Sequence, residues 1–102
     1  MKTKVKLKGT RLERKLKKIL EGQGYYVVRS AGSFGIADLV AIKNDRFIMI
    51  QVKSSGITSD EIRRITEVLT KCKISFKRFY IADFSNELKL IRLDRYVEDR
   101  RS

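Results

Sequence analysis

The sequence predicts a single α/β domain, a mixed β-sheet flanked by helices in the order α-β-β-β-α-β-β. Three observations predict it. Two apolar runs, Ile36 to Ile42 and Arg46 to Lys53, flank a polar Asn44-Asp45 turn and read as a hairpin. Both runs are near-continuous, as in strands covered on both faces. An amphipathic helix precedes them, and a helix then a strand follow, which returns the chain to the sheet by a crossover. With 102 residues, 42% of them hydrophobic, the chain can build one small core and not two.

The elements follow in order. Met1 to Lys8 alternates lysine with Thr, Val and Leu, too few apolar residues to pack alone, and is expected to form a basic N-terminal arm over residues 1–8. Residues 9–102 form the domain. Thr10 is an acceptable N-cap, with Glu13 three residues on in capping-box position. Leu12, Leu16, Ile19 and Leu20 then recur at helical spacing until Gly22 and Gly24, so a helix is expected from about Thr10 to Glu21. Tyr25 to Val28 is a β-branched and aromatic strand leading into Arg29 and Ser30, and Ala31 to Gly35 is a small-residue loop. After the hairpin, Thr58 or Ser59 caps a second helix whose buried face is Ile62, Ile65, Val68, Leu69 and Cys72. Phe76 to Ala82 and Leu88 to Leu93 are the last two strands, and Asp94 to Ser102 a final helical turn.

Charge narrows the function. Lys and Arg number 24 against 12 Asp and Glu, a net of +12, which implies a polyanionic partner, nucleic acid before all others. No stretch reaches the ~18–20 apolar residues of a membrane span, and the N-terminus lacks the apolar run of a signal peptide, so a soluble, intracellular, cytoplasmic protein is expected. One cysteine, Cys72, excludes an internal disulfide, and the absence of histidine excludes imidazole acid–base chemistry and histidine-bound zinc.

Inside the hairpin the polar residues stand out. Asp38 interrupts the first run, and Gln51 and Lys53 share one face at the end of the second, with Val52 on the other. Pairing around Asn44-Asp45 sets Asp38 opposite Gln51. A buried charge is costly unless it is paired or binds a metal. Without histidine, phosphodiester hydrolysis has a natural solution in hard oxygen ligands around Mg²⁺, with Mn²⁺ able to substitute. The candidate ligands are Asp38, the Gln51 side-chain oxygen, the Val52 carbonyl and Glu13, directly or through a water. Lys53 would orient the attacking water or stabilise charge on the phosphate. The plainer roles are a structural Asp38–Lys53 ion pair and a capping acid at Glu13.

Four blocks carry a resemblance: Lys8-Gly9-Thr10-Arg11-Leu12-Glu13-Arg14, Val27 to Ser33, Ala37-Asp38-Leu39-Val40-Ala41, and Gln51-Val52-Lys53. In this order and spacing they resemble the archaeal Holliday junction resolvases, within the PD-(D/E)xK nuclease superfamily. The resemblance implies a restriction-endonuclease-like fold and a single nuclease-like domain over residues 9–102. It implies Mg²⁺-dependent nicking of four-way DNA junctions by a homodimer in an archaeal or archaeal-virus host cell. It makes Glu13, Asp38, Gln51 and Lys53 catalytic candidates, and Lys8, Arg11, Arg14, Arg29, Ser30 and Ser33 DNA contacts. One position departs from the pattern. The glutamate two residues before the lysine is Gln51 here, which keeps a ligand oxygen and loses the charge. Two other readings therefore stand beside the first: a non-catalytic junction-binding module with a weakened metal site, and a nuclease for another nucleic acid. Phe34, an aromatic in the small-residue loop, is a candidate wedge against bases or a partner subunit. Tyr96 and Val97 are expected to add apolar surface for a dimer.

Overall fold

The computed structural model describes the backbone of residues 3–30 and 35–101 and the side chains of residues 11–30 and 35–97. Helix α1 (Thr3–Gly22) leads into strands β1 (Tyr26–Arg29), β2 (Leu39–Lys43) and β3 (Arg46–Lys53). Helix α2 (Ser59–Cys72) crosses to β4 (Phe79–Asp83), and β5 (Lys89–Arg92) runs directly into α3 (Leu93–Arg101). The five strands form one sheet in chain order. Only β3 and β4 run parallel; every other pair is antiparallel. The expected mixed sheet and its meander–crossover–hairpin path are thus present.

Two corrections concern helices. Helix α1 begins at Thr3, seven residues before the expected Thr10, so Thr10 lies inside it and is not an N-cap. Residues 3–8 of the expected basic arm belong to the helix instead, and Met1 and Lys2 lie outside the described residues: Lys and Leu are good helix formers, no proline intervenes, and Gly9 costs only about 1 kcal/mol inside a helix. At the other end of the crossover, Cys72 is exposed, not core. It is the last residue of α2, and Lys73 turns left-handed (φ 59°) behind it. The Ile74 N–H then bonds back to the Leu69 carbonyl at 2.9 Å, and Ile74, not Cys72, packs on the core. Val68 is likewise 37% exposed, so the buried stripe of α2 is Ile62, Ile65 and Leu69. In the same region, Phe76–Arg78 is a 3₁₀ turn and not the start of a strand, because the Ser75 hydroxyl accepts from the Lys77 N–H at 3.1 Å.

Each face of the sheet has its own apolar layer. Leu16 and Leu20 of α1 pack with Val27, Leu39, Ala41, Ile50 and Ala82. On the other face Ile62, Ile65 and Leu69 of α2 pack with Phe79, Ile81 and Leu93. Tyr96 joins this second layer, which removes it from the expected free surface. The layers fix the register of β3, since a slip of one residue would exchange its faces. The hairpin turn fixes it again. Asn44 and Asp45 both have positive φ (54° and 64°), the two-residue turn whose twist suits a hairpin. Leu39 therefore pairs with Ile50 and Lys43 with Arg46, and Asp38 meets the end of β3 as the spacing predicts.

Candidate active site

Asp38 stands one residue before β2 and extends its ladder. Its N–H donates to the Ile50 carbonyl at 2.8 Å, and its own carbonyl accepts from the Ser30 N–H at 2.9 Å. The side chain takes over the next rung: Oδ2 accepts from the Val52 N–H at 2.8 Å. In an extended strand a residue's N–H and C=O point to the same edge. The Val52 carbonyl is therefore turned to the Asp38 side. Burial raises the Asp38 pKa above the ordinary value, against the opposing pull of the Val52 N–H and of Lys53.

Glu13 arrives from α1, on the opposite face from α2. Burial, and then the neighbouring Asp38 charge, raise its pKa, while Arg29 acts to lower it. Arg29 Nε lies 3.3 Å from Glu13 Oε1. Arg29 thus stands beside Glu13 at the end of β1. Although 25 positions apart in the chain, Asp38 lies near enough to Glu13 for its charge to help raise the Glu13 pKa.

Gln51 faces α2. Its Oε1 is buried and has no hydrogen-bond partner. The side chain lines a cavity of about 40 Å³ with Gly35, Ile36, Glu61, Arg64 and Ile65. A buried amide oxygen without a donor is unusual, and its position at the end of β3 is where an electropositive ligand would satisfy it. Lys53 points the same way, but its ion pair is with Glu61 Oε2 at 2.6 Å rather than with Asp38. Glu61 is the site residue that sequence reasoning missed. An acid in the first turn of a helix is already accounted for by the helix dipole. The signal lay in its position: Thr58-x-x-Glu61 is a capping box, and a helix starting so soon after Lys53 begins beside the strand end it has just left.

Among the described residues no three of Asp, Glu, His and Cys gather tightly enough to hold a metal by themselves. The available donors are the carboxylates of Asp38 and Glu13, the orphaned Gln51 amide oxygen and the Val52 carbonyl. All are hard oxygens, the set a hard divalent cation prefers. Arg11 and Arg14 lie exposed on α1. Ser30 contributes its backbone to the Asp38 rung. The Lys8 side chain, Ser33 and Phe34 fall outside the described residues.

A mixed sheet with a helical layer on each face, and a carboxylate set against the end of its hairpin, defines an α/β domain with a site of hard oxygen donors at the sheet's edge. The chain belongs to the archaeal Holliday junction resolvase family (Hjc), whose family model matches residues 4–95. It is 34% identical over 87 residues to the crossover junction endodeoxyribonuclease Hjc of Methanocaldococcus jannaschii. The match covers 82% of this chain and 65% of that relative's length, so the chain spans somewhat under two thirds of the curated protein. The structure of Archaeoglobus fulgidus Hjc, a Holliday junction resolvase, superposes with a TM-score of 0.62 at 23% identity, over 85% of this chain and 74% of that one. That likeness establishes the shared fold.

Proposed function

We propose that this chain is a metal-dependent endonuclease that resolves four-way DNA junctions by paired nicking, acting inside the cell as a homodimer. The observation that carries the reading is the meeting of Asp38 with the end of β3 at the Val52 N–H, between the residue with the orphaned amide oxygen, Gln51, and Lys53 in the chain. Family membership supplies the substrate class. A basic chain of net charge +12 suits a polyanion.

Asp38, the Gln51 amide, the Val52 carbonyl and Glu13 would hold the cation, Mg²⁺ or in its place Mn²⁺. When bound, it would polarise the scissile phosphate and acidify a water. The chain's own groups do the rest. Lys53 presents an ammonium to the charge that grows on the phosphate. Arg29, with Arg11 and Arg14 from α1 and Ser30 after β1, holds the backbone on either side of the cut; the sequence adds Lys8 and Ser33 to these contacts. Asp38, kept half-buried, aims its carboxylate through the fixed Val52 rung rather than through a mobile side-chain contact.

The test is nicking of a labelled four-way junction with Mg²⁺ and with chelator. Cuts that need the metal support the proposal, and a protein that binds the junction but never cuts favours the non-catalytic module. Binding itself should be steeply salt-dependent. Six phosphate contacts would cost about a thousandfold in affinity between 50 and 200 mM salt, read by fluorescence anisotropy. A flat salt response would count against phosphate-led binding.

For the homodimer, the support is an open apolar face. Tyr26, Ile42 and Phe47 are cross-strand neighbours in one row, and Val28 lies in the next. Their exposures are 70%, 39%, 37% and 43%. α2 covers Met49, Phe79 and Ile81 on this face but leaves the β1–β2 side bare. A second copy covering the patch would bring two sites to one junction. Light scattering should give twice the 11.9 kDa chain mass. Tyr26→Glu should halve the observed mass while leaving the fold within about 0.5 kcal/mol, as for other exposed positions. A parent chain that is monomeric at micromolar concentration would remove this part of the proposal.

A further inference from the structure

Glu61 uses both of its carboxylate oxygens. Oε1 accepts from the Thr58 N–H at 2.9 Å and from the Thr58 hydroxyl at 3.2 Å. The Glu61 N–H donates back to the Thr58 hydroxyl at 3.1 Å, which closes the capping box. Oε2 accepts from Lys53 Nζ at 2.6 Å. The carboxylate is thus anchored to the first turn of α2 on one side and holds the lysine on the other. Burial would raise its pKa, but the hydrogen bonds from Lys53 and Thr58 outweigh burial and hold it below the ordinary carboxylate value. Two residues before Lys53, on the same strand face, Gln51 brings an amide and no charge. Gln51 and Glu61 line the same small cavity.

We infer that Glu61 is a positioning residue for Lys53: from the N-terminus of α2 it supplies the negative partner that position 51 does not carry, and so fixes where the ammonium stands. This rests on the nuclease reading above, but the geometry of the pair does not. The cap orders the carboxylate before substrate arrives, and the lysine is ordered through it. A small displacement of such a group is expensive, since about 1 Å of misplacement can cost about a hundredfold in rate.

The experiment compares the parent chain, Glu61→Gln, and the Gln51→Glu/Glu61→Gln double variant. Glutamine at this position of the helix still closes the capping box, so the fold is retained while the charge is lost. Single-turnover nicking gives kcat and KM. In parallel, the metal-free protein is acylated with an amine-reactive ester and the modification of Lys53 is measured by peptide mass spectrometry. The expected result for Glu61→Gln is a 10–100-fold fall in kcat, the order that misplacement of a reacting group produces. KM should stay within about twofold and acylation of Lys53 should rise several-fold, with the other lysines unchanged. The double variant should recover both protection and rate, because the charge returns on the neighbouring strand position. Unchanged acylation or unchanged kcat in Glu61→Gln, or no recovery in the double variant, would overturn the inference. A parent chain that nicks no junction overturns the nuclease reading and the role together. That result is distinct from failure of the inference alone, in which the parent and Glu61→Gln nick equally well.

Discussion

Asp38→Asn should abolish junction nicking, by about a thousandfold or more, while junction affinity stays within a few-fold. Asparagine has the same shape and still offers an oxygen to the Val52 N–H, whose 2.8 Å bond closes the sheet at this end. An Ala substitution would leave that donor unpaired, at about 1–3 kcal/mol if buried, and would confuse folding with chemistry. What asparagine loses is the anionic ligand. With Gln51 already neutral, the site would keep Glu13 alone as a carboxylate donor, and a hard divalent cation depends on such charge. The Asp38 pKa is raised by burial, so the folded chain holds this proton more tightly than the unfolded chain. Ionising Asp38 therefore costs stability: the cost is absent at acid pH and grows as pH rises through the folded pKa. Asp38→Asn removes it. The variant should unfold at an equal or higher temperature than the parent at neutral pH, while cutting nothing. Cleavage by Asp38→Asn within tenfold of the parent would contradict its assignment as the anchoring ligand.

The second large effect is expected from Lys53→Met. Methionine keeps most of the aliphatic stem and removes the ammonium. Groups that stabilise developing charge are worth about 10²–10³ in rate when removed, and the predicted loss is of that order in single-turnover nicking. Stability should change little. The Lys53 and Glu61 side chains are 21% and 36% exposed, so solvent already screens the pair. The cap bonds of Glu61 to Thr58 also remain when the lysine is gone. A loss of rate without loss of junction affinity separates a role at the reacting phosphate from one of many backbone contacts. A loss confined to affinity would demote Lys53 to such a contact.

The hairpin was the most legible part of the chain. Arg46 to Lys53 is a strand over those bounds, and the Asn44-Asp45 turn sets Asp38 against the end of β3. Both follow from local rules, a side-chain period of two and a two-residue turn whose residues tolerate positive φ. Glu13 and Arg29 also meet, though nothing local brings them together; the family resemblance pointed to them and the packing of α1 on the sheet does the work. Where expectation failed, the deciding information was not local. Thr10 and Glu13 fit a capping box, but a cap requires the preceding residues to leave the helix, and Thr3 to Gly9 stay in it. Cys72 continues the spacing of Leu69, but α2 ends there and Ile74 folds back onto the core in its place. Glu61 carries two roles at once, and only its helix-end role has a sequence signature. Its bond to Lys53 depends on where the crossover sets α2 down against the sheet.

The proposed function comes down to cutting of four-way junctions with a metal held at Asp38. It is tested most directly by strand-resolved cleavage of a junction with each arm labelled in turn, beside a linear duplex of the same sequence, with Mg²⁺ present. Paired nicks on two opposed strands of the junction are expected, with little cutting of the duplex and none by Asp38→Asn. No nicks from the parent chain, or equal cutting of junction and duplex, would contradict it.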